Sequence, residues 1–377
     1  MWQDNALNYG VSKIEHNMNT LTEFPESCNG TEWNLIQSER GARGHWVNGF
    51  WVGLLWLAYG CTDDSRYEMA ARQWAEKLAW LKDSTETHDL GFIFYLSHVL
   101  GAKITDDTSL YDNALQASES LIKRYNAKGE YLQAWGALDG SRKDSGRINI
   151  DVMMNLELLF WASAYSGDPK YADIATQHAR TSRTTLVRHD GSVAQVGDFD
   201  PDTGLFVHQE THQGFSYDSC WSRGLGWAMY GFSACHRYTA NPAFLSTSIA
   251  TVDYIKYNLP DDLVAYWDFN SPDIPDTYRD TSASAVFACG LIDIAGQLSD
   301  STQAEQYIEL AKRIVQALWE NYSSRGTDLP AIILQASRSV PHGYMDQALI
   351  YGDYYFFEAL VRLYKPEFAS RIFSQVQ

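Results

Sequence analysis

The feature that most constrains the fold of this chain is an alternation of two kinds of helical segment from end to end. About twelve segments of helical hydrophobic period follow one another with short connections. One kind is apolar on every face, as at 49–53 and 354–357, which is typical of a buried helix. The other kind opens with a polar cap and an aromatic residue and keeps a charged face, as at 64–67 and 241–244. The alternation predicts six inner helices ringed by six outer ones.

The predicted ring is closed. An open solenoid needs polar terminal repeats, whereas the last segment, 351–364, is among the most apolar. Because no linker or low-complexity stretch interrupts the chain, we expect one domain over residues 1–377. Short β-prone stretches at 192–199 and 263–269 predict hairpins in the loops. The predicted helices cover 4–20, 47–60, 64–82, 89–101, 108–125, 149–165, 168–187, 221–239, 242–258, 280–298, 301–320 and 351–364.

The composition excludes some classes of partner. Twenty-nine basic residues against 47 acidic ones give a net charge of −18, which argues against nucleic acid or an anionic membrane. One local Arg can still bind a small acidic substrate, because distant charges are screened. Five cysteines without metal-ligand spacing indicate reduced thiols, and the start of the chain shows no signal peptide. We therefore expect a cytoplasmic protein, or a periplasmic one if a leader has been removed.

Two aspartates, Asp89 and Asp151, each begin a buried helical segment. Inner helices of such a ring start at the same end, so these carboxylates, on the second and third inner helices, should face one cavity. Each alone would usually be a helix cap. Two of them among aromatic side chains favour a carboxylate pair that performs acid–base chemistry on a sugar. Helix N-termini lower their pKa values while burial and mutual repulsion raise them, and the sequence leaves that balance open.

Polar and aromatic side chains also gather at the start of the fourth inner helix. His212, Trp221 and Trp227 suit a sugar ring, and the planar guanidinium of Arg223 suits a carboxylate. The alternative is that Arg223 pairs with a structural acid such as Asp218.

Trp46 and Trp135 lie in loops before inner helices. A Trp in a loop either packs under another element or stacks on a ligand, and we favour the ligand. His208 and His212 are four residues apart but lack a carboxylate at a matching position, so no metal site is predicted.

Six short motifs follow one another along the chain, and the likeness that they carry extends from about residue 46 to residue 365. They are His88-Asp89-Leu90-Gly91-Phe92, Gln133-Ala134-Trp135-Gly136, Arg147-Ile148-Asn149-Ile150-Asp151, Thr211-His212-Gln213-Gly214, Trp221-Ser222-Arg223-Gly224 and Tyr351-Gly352-Asp353-Tyr354-Tyr355. Together they resemble unsaturated glucuronyl hydrolases, family 88 of the glycoside hydrolases. The resemblance implies an (α/α)6 barrel without a metal or organic cofactor. It also implies removal of the Δ4,5-unsaturated uronate that polysaccharide lyases leave at the non-reducing end of oligosaccharides.

The resemblance implies roles for individual residues as well. Asp151 matches the general acid and base, and Asp89 matches the residue that assists it and holds sugar hydroxyls. Where the family pattern has a His ahead of a Phe-Asp-Pro turn, this chain has Gln195, which cannot become cationic. Substrate contacts are implied for Trp46, Trp135, His212, Trp221, Arg223 and Trp227, and Gln195 stands in the place of a further one.

Other functions stay open from the sequence. An unsaturated rhamnogalacturonyl hydrolase would use the same barrel and chemistry on a different aglycone. A non-catalytic carbohydrate-binding toroid would need the Trp residues but not Asp151, and an epimerase would want paired His residues. We expect a monomer or weak homodimer whose partner is an oligosaccharide that ends in an unsaturated uronate. In the 330–346 loop, Arg338, Ser339 and His342 are candidate contacts for a sulfate on that oligosaccharide.

Overall fold

The computed structural model describes residues 1–36, 46–138 and 144–373 of the chain. A π-helical turn, Tyr95–Val99, joins the α-helix Leu90–Phe94 to the α-helix Leu100–Thr105, so that these two make one inner helix. Short 3-10 helices occupy Ala79–Asp83, Thr108–Leu110 and Val340–His342. The α-helices are α1 Trp2–Thr20, α2 Asn48–Thr62, α3 Ser65–Glu76, α4 Leu90–Phe94, α5 Leu100–Thr105, α6 Tyr111–Ile122, α7 Val152–Ser166, α8 Lys170–Thr185, α9 Ser222–Thr239, α10 Pro242–Asn258, α11 Thr281–Ala295, α12 Ser301–Tyr322, α13 Ile350–Tyr364 and α14 Pro366–Phe373.

The inner helices form a closed ring. Helix α2 packs against α4, α4 against α7, α7 against α9, α9 against α11, and α11 against α13, which returns to α2. Outer helices α3, α6, α8, α10 and α12 each pack on the inner helix before them, and α1 packs on α13. The predicted (α/α)6 barrel is therefore confirmed. The contact between α13 and α2 rules out the open solenoid.

Burial explains how the helices sort into two rings. Nearly every residue of α11 is buried, as expected for a segment that is apolar on all faces. Outer helix α12 buries one stripe, from Tyr307 to Trp319, and its other residues are partly or fully exposed. Predicted caps are present on outer helices: the side chains of Asp64 and Asn241 accept backbone N–H groups at the starts of α3 and α10.

Short strands join the helices. The predicted strand at 192–199 is present as the strand Val196–Phe199, whereas 263–269 forms only isolated bridges. The strands Arg147–Asn149 and Ala348–Leu349 lead into α7 and α13, so they fix where those inner helices begin. The three antiparallel sheets comprise β1 Phe24–Cys28 with β2 Asn34–Ile36 and β8 Ala348–Leu349; β3 Tyr125–Asn126 with β4 Tyr131–Leu132; and β5 Arg147–Asn149 with β6 Val196–Phe199 and β7 Phe206–Glu210.

In the part of the chain that the structure describes, no helix is long and apolar enough to cross a membrane. The five cysteines are free thiols, and four of them are buried. One domain over residues 1–377 stays a prediction.

Candidate active site

A cavity of about 490 Å³ opens at the end of the barrel where the inner helices begin. Residues that precede or open α2, α4, α7 and α9 line it, together with the loop before α13. The lining side chains are Trp46, His88, Asp89, Trp135, Asn149, Asp151, His212, Gln213, Arg223, Arg338, Ser339, His342 and Tyr344.

Asp151 lies at the start of α7, in the cavity wall. Its side chain makes no capping hydrogen bond to the first turn of the helix. Atom Oδ2 is buried and has no hydrogen-bond partner among the described residues. Burial, and then the charge of Asp89, raise the pKa of Asp151 to about 7, while the Arg223 guanidinium opposes the rise. This carboxyl can therefore hold a proton near neutral pH and also release it.

Asp89 precedes α4, and it too makes no side-chain cap. Its Oδ2 accepts the Thr87 hydroxyl at 3.2 Å, and its Oδ1 accepts from Asn155 Nδ2 at 3.4 Å. Asn155 Nδ2 also donates to the main-chain carbonyl of Asp151 at 3.3 Å. The Asn155 Oδ1 accepts the N–H of Phe92 at 2.8 Å. Asn155 thus ties together the two segments that carry the carboxylates.

His88 borders Asp89 on the cavity wall. Its Nδ1 lies 2.7 Å from the carbonyl oxygen of Ala134, which only accepts, so Nδ1 carries a hydrogen. Its Nε2 lies 3.2 Å from Asp89 Oδ1 and 3.3 Å from Asn149 Nδ2. Burial lowers the pKa of His88, although the charge of Asp89 opposes this. The lowered pKa favours the neutral ring, whose Nε2 then accepts from Asn149.

Arg223, in the first turn of α9, is almost fully buried and has strong partners. Its Nη1 donates to Asp280 Oδ2 at 2.5 Å. The guanidinium also donates to two main-chain carbonyls of the loop before α13, at 2.7 and 2.6 Å. The structural-acid alternative therefore holds, with Asp280 as the partner instead of Asp218, which lies exposed. Arg223 still lines the cavity, and its positive charge acts on the Asp151 carboxyl.

Trp46 and Trp135 provide flat aromatic surface in the cavity. The ring of Trp46 packs on Tyr351, with centroids 4.7 Å apart. Trp135 lies between His88 and His212, at centroid distances of 6.2 and 5.9 Å. Both Trp side chains are half-buried and line the cavity, so each keeps surface on which a pyranose ring can stack.

Two histidines and an Arg form part of the rim. The rings of His212 and His342 lie 4.6 Å apart. Burial, and then the charge of His342, lower the pKa of His212. Gln213 donates through Nε2 to the main-chain carbonyl of Arg338 at 2.8 Å. The Arg338 guanidinium itself pairs with Glu26 of β1. These contacts hold the turn after β7 against the loop before α13.

Three predicted substrate contacts do not line the cavity. Gln195, Trp221 and Trp227 are buried behind its wall. Gln195 holds the backbone N–H of His212. Trp221 packs on Arg223, with the guanidinium carbon 4.5 Å from the ring centroid. Trp227 lies beside Asp151, and its indole lowers the pKa of the Asp151 carboxyl. The three residues support the wall, and direct contact with a ligand stays a prediction for them.

Several residues of the site had no predicted role. His88, Asn149 and Gln213 lie within the quoted motifs, and their nearness to predicted residues was the available signal. Asn155 could have been found because it is a polar residue four positions after Asp151 in a helical segment that is mostly apolar. An Asn that is buried in the core with all its hydrogen bonds made, and has no role in the site, would have given the same sequence pattern.

His208 and His212 do not form a shared site. His208 Nε2 lies 3.0 Å from Glu210 and 3.5 Å from Asp198 on the exposed side of the β5–β6–β7 sheet. Within the three described ranges, no group of three or more His, Cys, Asp or Glu side chains is placed to hold a metal ion.

An (α/α)6 barrel with a raised-pKa carboxyl, a second carboxylate and two Trp faces in one cavity is suited to acid–base chemistry on a sugar. Comparison with known proteins gives the same class. A family model described as Glycosyl Hydrolase Family 88 matches residues 18–361. This chain therefore belongs to family 88 of the glycoside hydrolases and is an enzyme.

Individual relatives match over nearly the full chain. An unsaturated glucuronyl hydrolase of Bacillus sp. (strain GL1) is 37% identical over 370 residues, which cover 96% of this chain and 97% of that protein. An unsaturated chondroitin disaccharide hydrolase of Streptococcus pyogenes serotype M1 is 33% identical over 369 residues, 96% of this chain and 90% of that protein. A crystal structure of an unsaturated glucuronyl hydrolase from Bacillus sp. GL1, described as responsible for the degradation of glycosaminoglycan, matches with a TM-score of 0.92. It is 36% identical, and the match covers 97% of each chain.

Proposed function

We propose that this enzyme removes a Δ4,5-unsaturated uronic acid from the non-reducing end of oligosaccharides by hydrating its C4=C5 double bond. The family and the names of the relatives support the substrate class. The observation that carries the proposal is the Asp151 carboxyl, whose pKa is raised to about 7 in the wall of the cavity. A cavity of about 490 Å³ lies in the range of small-ligand sites.

Asp151 acts first as the general acid. The terminal ring carries an enol ether conjugated to a carboxylate, and protonation at C4 gives a cation shared between C5 and the ring oxygen. A carboxyl with a pKa near 7 still holds its proton at neutral pH and can donate it. Asp89 stabilises the developing positive charge and accepts hydrogen bonds from sugar hydroxyls.

Asp151 then acts as the general base. Its carboxylate takes a proton from the water that attacks C5, and a hemiketal forms. The hemiketal opens, and the resulting hemiacetal at C1 releases the aglycone, so one water is added and one glycosidic bond is broken. Because water attacks C5 and the glycosidic bond breaks when the hemiketal collapses, direct attack at the anomeric carbon is not required. The carboxylate spacing that separates retaining from inverting glycosidases therefore does not apply.

The aromatic and cationic side chains position the sugar. Trp46 and Trp135 stack on the rings, and Arg223 attracts the uronate carboxylate by its fixed charge. The next sugar lies against the loop before α13. A sulfate on that sugar would compete with Glu26 for the guanidinium of Arg338. A monomeric or weakly dimeric state stays a prediction.

The test follows the ultraviolet absorbance of the enol ether in a panel of lyase-generated unsaturated disaccharides. The protein should remove the absorbance of at least one of them, and Asp151→Asn should slow this by about 10²–10⁴-fold. Asp353→Asn is the matched control, because burial also raises the pKa of Asp353 to about 7. Asp353 instead accepts the N–H groups of Ile332 and Ile333, and it does not line the cavity. Unchanged absorbance across the panel would contradict the proposal.

A further inference from the structure

The side-chain amide of Gln195 has only one possible orientation. Its Oε1 accepts the hydroxyl of Thr211 at 3.0 Å. The same atom accepts the backbone N–H of His212 at 2.7 Å and that of Gln213 at 2.6 Å. Backbone N–H groups only donate, so the atom that faces them must be the amide oxygen. The Gln195 Nε2 group therefore faces the side chain of Gln213.

The orientation passes from one amide to the next. Gln195 Nε2 donates to Gln213 Oε1 at 2.7 Å. Gln213 Nε2 consequently faces the main-chain carbonyl of Arg338, to which it donates at 2.8 Å. A carbonyl only accepts, so the contacts at both ends of Gln213 require the same orientation.

Gln213 lines the cavity, whereas Gln195 lies behind it with 2% of its surface exposed. After these two hydrogen bonds, Gln213 keeps one Oε1 lone pair and one Nε2 hydrogen. The main-chain carbonyl of Gln195 also accepts the N–H of Ile150 at 2.9 Å, directly before Asp151. Gln195 therefore connects the segment that carries the acid, the turn after β7 and the loop before α13.

We propose that Gln195 is a positioning residue for sugar recognition: together with the Arg338 carbonyl, it holds the Gln213 amide in the place and orientation that a ligand meets. A hydroxyl-bearing sugar ring would accept from Gln213 Nε2 and donate to Gln213 Oε1. The identity of that ligand rests on the proposed function, whereas the chain of hydrogen bonds does not.

Two substitutions separate the parts of this role. Gln195→Met keeps the length of the side chain but removes its acceptor and its donor. Gln195→Glu keeps an acceptor for the backbone N–H groups but loses the donor once the introduced carboxyl is ionised. Gln213 must then turn its Nε2 toward that carboxylate, which places Oε1 against the carbonyl of Arg338 and breaks the contact with the loop. When protonated, the introduced carboxyl can donate to Gln213 as the native amide does.

Gln209→Met is the matched control. Gln209 lies on the neighbouring strand β7, and its side chain accepts from Arg188 Nε at 3.0 Å and donates to the Thr185 carbonyl at 2.8 Å. It does not line the cavity. Its loss therefore removes similar hydrogen bonds without reaching Gln213.

Steady-state kinetics on an unsaturated disaccharide give the first readout. Gln195→Met should raise KM about tenfold while kcat changes by less than about threefold, and the control should change neither. The ratio of kcat/KM between Gln195→Glu and the wild type should recover as pH falls and the introduced carboxyl takes up a proton. The titratable or charged neighbours Arg147, Asp151, Glu210 and His212 are common to both proteins, so the ratio reports the introduced carboxyl and its coupling to them. An unchanged KM in Gln195→Met, or a ratio independent of pH, would overturn the proposal.

Hydrogen–deuterium exchange without substrate gives an independent readout. Gln195→Met should speed exchange at the backbone N–H groups of His212 and Gln213, which lose their acceptor, and the control should not. If the wild type hydrolyses no unsaturated disaccharide but this exchange increases, the proposed substrate is wrong and the positioning role stands. Unchanged exchange at both N–H groups would contradict the positioning role whatever the substrate.

Discussion

Gly91 of α4 lies directly against Asn155 of α7: a Cβ atom placed on Gly91 would come within 2.4 Å of the Asn155 Cα atom. Because Gly91 has no side chain, the two helices approach closely, and the aspartates that precede them line one cavity. Asn155 uses this approach, because its amide bonds both to Phe92 in α4 and to the main chain of Asp151. The close approach at Gly91 and the hydrogen bonds of Asn155 therefore bring Asp89 and Asp151 to the same cavity.

Gly91→Ala should destabilise the fold and lower activity together. The added methyl group meets backbone atoms of α7, so the helices must separate, at a cost of about 1–3 kcal/mol. Separation also moves Asp89 away from Asp151, so kcat/KM should fall. Denaturant unfolding and steady-state kinetics measure the two effects. Gly296→Ala is the control, since its Cβ would lie 3.6 Å from the carbonyl oxygen of Asp293, which is an ordinary van der Waals contact. Equal stability of Gly91→Ala and the wild type would contradict the close-contact argument.

Arg223→Lys should be much more costly than a charge-conserving change usually is. Lys cannot bind Asp280 and two main-chain carbonyls at once, so a buried carboxylate loses its planar partner. We expect a loss of about 3–5 kcal/mol in the free energy of unfolding. In Arg279→Lys, the control, a more exposed ion pair with Asp262 is changed, and that pair itself contributes about 1 kcal/mol or less. Similar losses in both variants would show that the Arg223 geometry is not special.

The activity should fall as pH rises above about 7, because Asp151 must be protonated to act as an acid. Asp89→Asn should move this alkaline limb of kcat/KM to lower pH, since the charge of Asp89 is the second largest cause of the raised pKa of Asp151. A limb that stays at the wild-type pH would mean that another group controls it.

Asp151→Asn should stabilise the protein at neutral pH. The pKa of Asp151 is about 7 in the folded state against an ordinary value of 3.8 for an exposed Asp, so the folded state binds more protons between these values. The wild type therefore loses stability as pH rises from about 4 to about 7, at up to ~1.4 kcal/mol per unit of pKa difference. The gap in Tm between variant and wild type should grow over that range and then level off. A gap that is constant from pH 4 to 8 would contradict the raised pKa.

The sequence predicted the barrel because helix burial follows directly from the hydrophobic pattern. It predicted the place of Asp89 and Asp151 because inner helices begin at one end. It could not show that Arg223 pairs with Asp280, since the two residues are 57 positions apart and several acids were available. Gln195 was expected to contact the sugar; the structure places it behind Gln213, and its direct contact with a ligand stays a prediction. Which of two neighbouring glutamines reaches a cavity depends on strand register, which the sequence pattern leaves undetermined.

The most direct test of hydration at the double bond is the fate of oxygen from labelled water. The reaction is run in water enriched in ¹⁸O and quenched at once with borohydride, before carbonyl oxygens exchange, and the product is analysed by mass spectrometry. Proton donation by Asp151 to C4 followed by attack of water at C5 predicts label on C5, with none on C1 and none on the released sugar. Label on C1 would show ordinary glycoside hydrolysis and would contradict the mechanism.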